Sequence, residues 1–157
     1  MPSSREYPER PLVGVGGVVI NDGRALLILR GSEPLKGEWS IPGGMLELGE
    51  TLEQGVEREL REEAGLQVRV AGFIEVFDRI YFEHDGIQGV RETPRFHYVI
   101  IDFLCELLSG EAVAGSDVTD VAWAREEELD RFKMTETAMR ILHKAFSLDR
   151  QRTSPRQ

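Results

Sequence analysis

Apolar residues open this chain in two short runs. LVGVGGVVI (12–20) and ALLILR (25–30) are rich in β-branched residues, and NDGR lies between them. Asn-Asp-Gly favours positive φ and tight reversal, so the pair predicts a β-hairpin. GSEPLKGEWSIPGG follows, with two prolines and four glycines, and reads as loop. The period then changes. Leu52, Val56, Leu60 and Ala64 recur every four residues and predict one packing stripe on a helix. Thr51 with Gln54 three residues on has capping-box spacing, and Gly65 stands where a left-handed terminator is wanted.

Beyond the helix, LQVRVAGFIEVFDRIYF predicts strand, and the polar stretch 84–95 predicts a flexible loop positioned to close over a ligand. FHYVIIDFLCELL is apolar on both faces and predicts a central strand. A loop, a short strand at VAWA and a helix from MTETAMRILHKAF complete the series. Thr135 is its cap, and Met134 and Met139 are spaced as a staple. Residues 1–10 and 149–157 predict polar terminal arms. Strands grouped in hairpins, each group followed by one helix, predict an α/β domain over 11–148. Its mixed sheet carries helices on both faces.

The 157 residues suit one domain, and 41% hydrophobic content provides a core. A formal net charge of −9 argues against nucleic acid or an anionic membrane as partner. It leaves room for an anionic small molecule if a cation offsets the repulsion. The lone Cys105 excludes an internal disulfide and sits in an apolar run, as a structural thiol would. No apolar stretch is long enough for a membrane span, and the polar N-terminus carries no signal region, so a cytoplasmic protein is expected.

Charge also marks the site. Glu59, Glu62 and Glu63 share one helix face by their spacing. Exposed like charges cost a helix only about 0.2–0.5 kcal/mol per pair, so crowding alone does not demand a cation. AREEELDRF (124–132) is as acidic and reads as a solvated face. Context separates the two, because only the first cluster follows a glycine pair and carries a neighbouring arginine, Arg58. Several carboxylate oxygens suit Mg2+, with Mn2+ as the alternative.

From Gly44, five residues lead to Glu50 and seven more to Arg58-Glu59; then come Leu60, Arg61, Glu62-Glu63, Ala64, Gly65 and Leu66. This resembles the complete signature of the Nudix hydrolases over 44–66, with all nine specified positions met. The resemblance extends over about residues 11–146. It implies a Nudix-type α/β/α sandwich that hydrolyses a nucleoside diphosphate derivative with a divalent cation. It further implies Glu59, Glu62, Glu63 and the Gly44 carbonyl as metal ligands. Arg58 would orient the carboxylates, with Glu50 assisting. The base is either a box glutamate or an acid from a later loop, for which Asp117 is the candidate. Arg30, at the end of the second strand, is a candidate phosphate ligand, and Arg79 and Tyr81 are candidate substrate contacts. Phe77 and His97 read as packing residues.

Family members acting on ADP-ribose often carry a proline about fifteen residues past the signature; here Tyr81 stands there and the first proline is Pro94. The overall resemblance is nevertheless to small ADP-ribose pyrophosphatase-like members, so ADP-ribose or a nucleotide sugar is the expected substrate. A nucleoside triphosphate pyrophosphohydrolase is the alternative within the class, and a non-catalytic nucleotide sensor the alternative outside it. The resemblance also admits a homodimer.

Overall fold

The computed structural model describes residues 5–84 and 90–154. The N-terminal hairpin is β1 (Leu12–Asn21) and β2 (Arg24–Arg30), turned through Asp22 and Gly23 at φ 53° and 73°. The short strands β3 (Trp39–Ser40) and β4 (Gly43–Met45) follow, then α1 (Leu52–Ala64). The long strands β5 (Gln67–His84) and β6 (Val90–Ser109) form an antiparallel pair. β7 (Val118–Ala124), a 3-10 turn at Glu126–Arg131 and α2 (Glu136–Thr153) complete the order.

The sheet runs β3-β2-β1-β6-β5, with β4 added to β1 and β7 added to β2. β1 and β6 are parallel, whereas the other described pairings are antiparallel, so the sheet is mixed as expected. β6 lies between β1 and β5, which explains why its sequence is apolar on both faces. Val56, Leu60, Ala64 and Cys105 lie in one core beneath α1. Val18, Leu104, Ile141 and Leu142 lie in the other, beneath α2. Two helical layers on a mixed sheet make the α/β/α sandwich.

The α1 caps are those predicted. Thr51 Oγ1 accepts from Gln54 N while the Gln54 side chain accepts from Thr51 N, and Gly65 takes φ 70°. The stripe is fully buried from Val56 onward, but Leu52 remains 36% exposed at the rim.

Three expectations need correction. Residues 90–95 are strand, not loop. β5 continues to His84 and pairs with β6 as far as Val90, so the predicted lid shrinks to 85–89, which lie outside the described residues. Pro94 is tolerated because it sits where the register shifts. The C-terminal arm is helical as far as Thr153. Its polar residues face solvent, and Arg150 holds Glu126 at 2.8 Å. The N-terminal arm is tied down as well, since Tyr7 N donates to Arg95 O at 2.7 Å.

Candidate active site

α1 enters the site behind the glycine pair. A Cβ on Gly44 would lie 2.5 Å from the Glu59 carboxyl carbon, so only glycine lets that carboxylate rest against the β4 backbone. Gly43 N donates to Glu63 Oε1 at 3.1 Å. Glu59 and Glu63 are each only 8% exposed, while the Glu62 side chain is about half exposed. Helical spacing predicted one shared face for the three. The fold covers two of them and leaves the third at the rim.

Arg58 organises this set. Its Nε and Nη2 grip both oxygens of Glu50 at 2.7 and 2.9 Å, and Nη2 also donates to Met45 O at 2.9 Å. Nη1 reaches Glu59 Oε1 at 2.8 Å and Glu62 Oε2 at 3.1 Å. The fork explains the need for arginine rather than lysine. Its hydrogen bonds hold the Glu50 carboxyl down at about 2. They also raise the Arg58 guanidinium above its ordinary value.

The inner carboxyls behave oppositely. Burial pushes Glu63 up to about 8, and the neighbouring Glu59 charge adds to it. Burial likewise raises Glu59, against the pull of Arg58. Arg58 bonds Glu59 but not Glu63, which feels only the charge of Arg30 and bonds the Gly43 N–H, so the two buried acids are short of positive charge. Among the described residues no three His, Cys, Asp or Glu side chains stand ready-formed around a common point, because Glu62 is turned to Arg58. The donor set nevertheless fits a hard divalent cation: carboxylate oxygens, a nearby backbone carbonyl and a deficit of positive charge.

The loop before β7 reaches the site through the end of α1. Val113, Gly115 and Ser116 donate to the carbonyls of Ala64, Glu63 and Glu62, which the helix leaves unpaired. This docking brings Asp117 into the same cleft. Asp117 has φ 57°, and its carbonyl accepts from Gly31 N at 2.9 Å, so its backbone forms a turn while its side chain stays exposed.

Arg30, Arg79 and Tyr81 all line this cleft, and Phe77 joins them. Arg30 Nε donates to Pro34 O at 2.8 Å. Burial lowers its basicity while the Glu63 charge restores part of it. Arg79 donates to Thr135 Oγ1 at 3.2 Å and to the Tyr81 hydroxyl at 3.4 Å, with its guanidinium 5.6 Å from the Phe77 ring centre. His97 pairs with Ile80 in the β5–β6 ladder. Cys105 is buried, and its thiol is pushed up to about 12, which suits a packing role.

Sequence reasoning missed Arg5, Tyr98 and Asp102, which also line the cleft. Asp102 carried a signal, a single acid inside the apolar run YVIIDFLC. Arg5 carried none, because only the tertiary fold lays the N-terminal segment beside β6.

The cleft is lined by both carboxylates and arginines, so it can take an anionic substrate given a cation at the acids. Fold and cleft together define the class, a hydrolase of phosphoric anhydrides. A NUDIX domain model matches residues 10–145, and the chain belongs to the Nudix family, whose members are pyrophosphohydrolases that use divalent metal ions. It is similar to the ADP-ribose pyrophosphatase of Methanocaldococcus jannaschii, 36% identical over 110 residues, which make 70% of this chain and 59% of that protein. A MutT-like protein of Streptomyces ambofaciens is 34% identical over 142 residues, covering 90% of this chain and 81% of that one. The chain therefore spans less than two thirds of the first relative and about four fifths of the second. Among solved structures it is similar to a MutT NUDIX hydrolase from Burkholderia pseudomallei. The TM-score is 0.71 and the identity 30%, over 87% of this chain and 98% of that one. No described helix is long and apolar enough to cross a membrane.

Proposed function

We propose that this chain hydrolyses the diphosphate of ADP-ribose or a closely related nucleotide sugar, using Mg2+, with Mn2+ able to replace it. The supporting observation is the buried, positive-charge-deficient pair Glu59 and Glu63 beside Gly44, with Arg30 and Arg79 lining the same cleft. The similarity to an archaeal ADP-ribose pyrophosphatase supports the choice of substrate. Net charge −9 supports a small nucleotide rather than nucleic acid as partner.

Glu59, Glu62, Glu63 and the Gly44 carbonyl would hold the cation, which when bound neutralises phosphate charge and stabilises the leaving group. Arg58 fixes the carboxylates through its five contacts with Glu50, Met45, Glu59 and Glu62. Arg30 and Arg79 orient the substrate phosphates. Asp117 accepts the proton of the attacking water from the loop docked on α1.

Product release from ADP-ribose, other nucleotide sugars, dinucleoside polyphosphates and nucleoside triphosphates, each with Mg2+, tests this reading. Release of AMP and ribose 5-phosphate from ADP-ribose is expected to exceed the other rates. A preference for triphosphates would overturn the substrate, and inertness towards every one would overturn the enzyme.

A further inference from the structure

We propose that Asp102 reads the base of the nucleotide, its carboxyl pairing with the amino-bearing edge of adenine at the inner end of the cleft. This rests on the ADP-ribose reading above for the identity of the base, and on the following geometry for the residue.

Asp102 is 3% exposed and lines the cleft. No hydrogen bond or ion pair joins its carboxyl to a described residue, and Glu38 Oε2 is the only fully enclosed unpaired side-chain oxygen among those residues, so the Asp102 oxygens keep contact with the open cleft, where a ligand can pair them. Its position is built. Gly16 lies opposite it on β1, and a Cβ there would collide with Asp102 Oδ1, so the carboxyl lies over bare backbone. The cleft-facing residues of β5 and β6 continue the surface outward. Phe77 pairs with Ile100, and Arg79 with Tyr98, giving a largely flat apolar and aromatic wall that ends at the acid. A planar heterocycle fits such a wall, and its polar edge would meet Asp102.

Gly43, Gly16 and Asp102 stand side by side on three adjacent strands. The Asp102 carboxyl leans over Gly16, which places it in the same cleft as the Gly43 N–H that holds Glu63.

The chemistry selects the edge. Burial pushes the Asp102 carboxyl up to about 7, with the Arg79 charge pulling the other way. A neutral carboxyl presents one donor beside one acceptor, and the N1 and 6-amino groups of adenine present the complementary pair. Guanine presents its O6 acceptor beside the N1 donor, which a neutral carboxyl also complements, so the contact discriminates against hydrogen in place of the amino group rather than between the two purines. A site built to bond a particular group rejects the analogue that lacks it, because its own buried group is then unpaired.

The test is equilibrium binding by calorimetry, in EDTA, of AMP and of purine riboside 5′-monophosphate, which has hydrogen in place of the amino group. The unaltered protein is expected to favour AMP by about tenfold to a hundredfold. Asp102→Asn keeps a donor and an acceptor and should retain that preference within about threefold. Asp102→Leu should bind both alike. Equal binding of the two ligands by the parent, no AMP binding, or a preference that survives Asp102→Leu overturns the proposal. The parent comparison stands even if Asp102→Leu fails to fold. ADP-ribose hydrolysis with Mg2+ on the same samples separates the two readings. An intact AMP preference without hydrolysis overturns the proposed function alone, and hydrolysis without an AMP preference overturns the base contact alone.

Discussion

Two acidic segments of this chain have similar composition and opposite physical chemistry. In α1, Glu59 and Glu63 are buried against a glycine pair, only Glu59 bonds an arginine, and both bind their protons more tightly than free glutamate. In the 3-10 turn, Glu126, Glu127 and Glu128 lie at the surface with cations to hand. His143 and Arg150 each sit 2.8 Å from Glu126, and Arg131 3.7 Å from Glu128. Slight burial would raise Glu126, but those hydrogen bonds outweigh it and its carboxyl is lowered. Crowded acids therefore do not announce a cation site. Acids placed where the fold supplies too little positive charge do.

The sharpest way to break this contrast is to neutralise one acid in each segment. Glu63→Gln should lower kcat by about a thousandfold or more, since a metal site supplies several kcal/mol of transition-state stabilisation. Its melting temperature should stay at or above the parent value, because the change removes a buried, under-compensated carboxyl. Glu126→Gln should leave kcat unchanged. Steady-state kinetics and thermal melting on the same samples decide, and comparable rates for the two variants would erase the distinction.

Asp117→Asn comes next. Loss of a general base should cost about 10²–10⁴ in kcat with cation affinity unchanged. Asn occupies the same left-handed turn readily, so the loop should persist. A rate within a fewfold of the parent would assign Asp117 to the turn alone and return the base to Glu62 or Glu63. Arg58→Lys is smaller again. It keeps the charge and loses the fork to Glu50, so kcat/KM should fall by about 10–100-fold; an unaltered value would show that the carboxylates hold themselves.

Proton linkage gives a stability test. Glu63 moves from 4.5 to about 8 on folding, and Asp102 from 3.8 to about 7. Both bind protons better in the folded state, so their contribution is present at low pH and is lost as pH rises through these values. The metal-free protein should melt about 5 °C lower at pH 8 than at pH 5, and saturating Mg2+ should restore much of the loss at pH 8. Glu63→Gln should flatten the profile. Smallest of all, Glu126→Gln should cost about 0.5 kcal/mol in chemical denaturation, as surface ion pairs do.

The parts of the molecule written in local chemistry were legible in the sequence. The Asp22-Gly23 reversal, the Thr51–Gln54 box and the Gly65 terminator follow from backbone preferences within a few residues, and each is present. The acidic face of α1 followed from helical spacing. Spacing does not say what covers a face, so the burial of Glu59 and Glu63 and the exposure of Glu62 emerged only with β4 in place. The polar stretch at 90–95 resembled loop because strand pairing beyond the core needs no apolar residues. Asp102 lies in a strand whose sequence is otherwise apolar on both faces, and only the tertiary fold sets Gly16 opposite it. The docking of the 113–116 loop on α1 joins residues about fifty positions apart, and no local pattern records it.

The central claim, that the buried acids of α1 form the cation site, is tested most directly by Mn2+ titration followed by electron paramagnetic resonance. The parent protein should remove free Mn2+ from solution saturably. A variant with Glu59→Gln and Glu63→Gln should bind it weaker by about tenfold or more, whereas one with Glu126→Gln and Glu128→Gln should match the parent. Unchanged Mn2+ binding after the first pair of substitutions, or its loss after the second, would contradict the account.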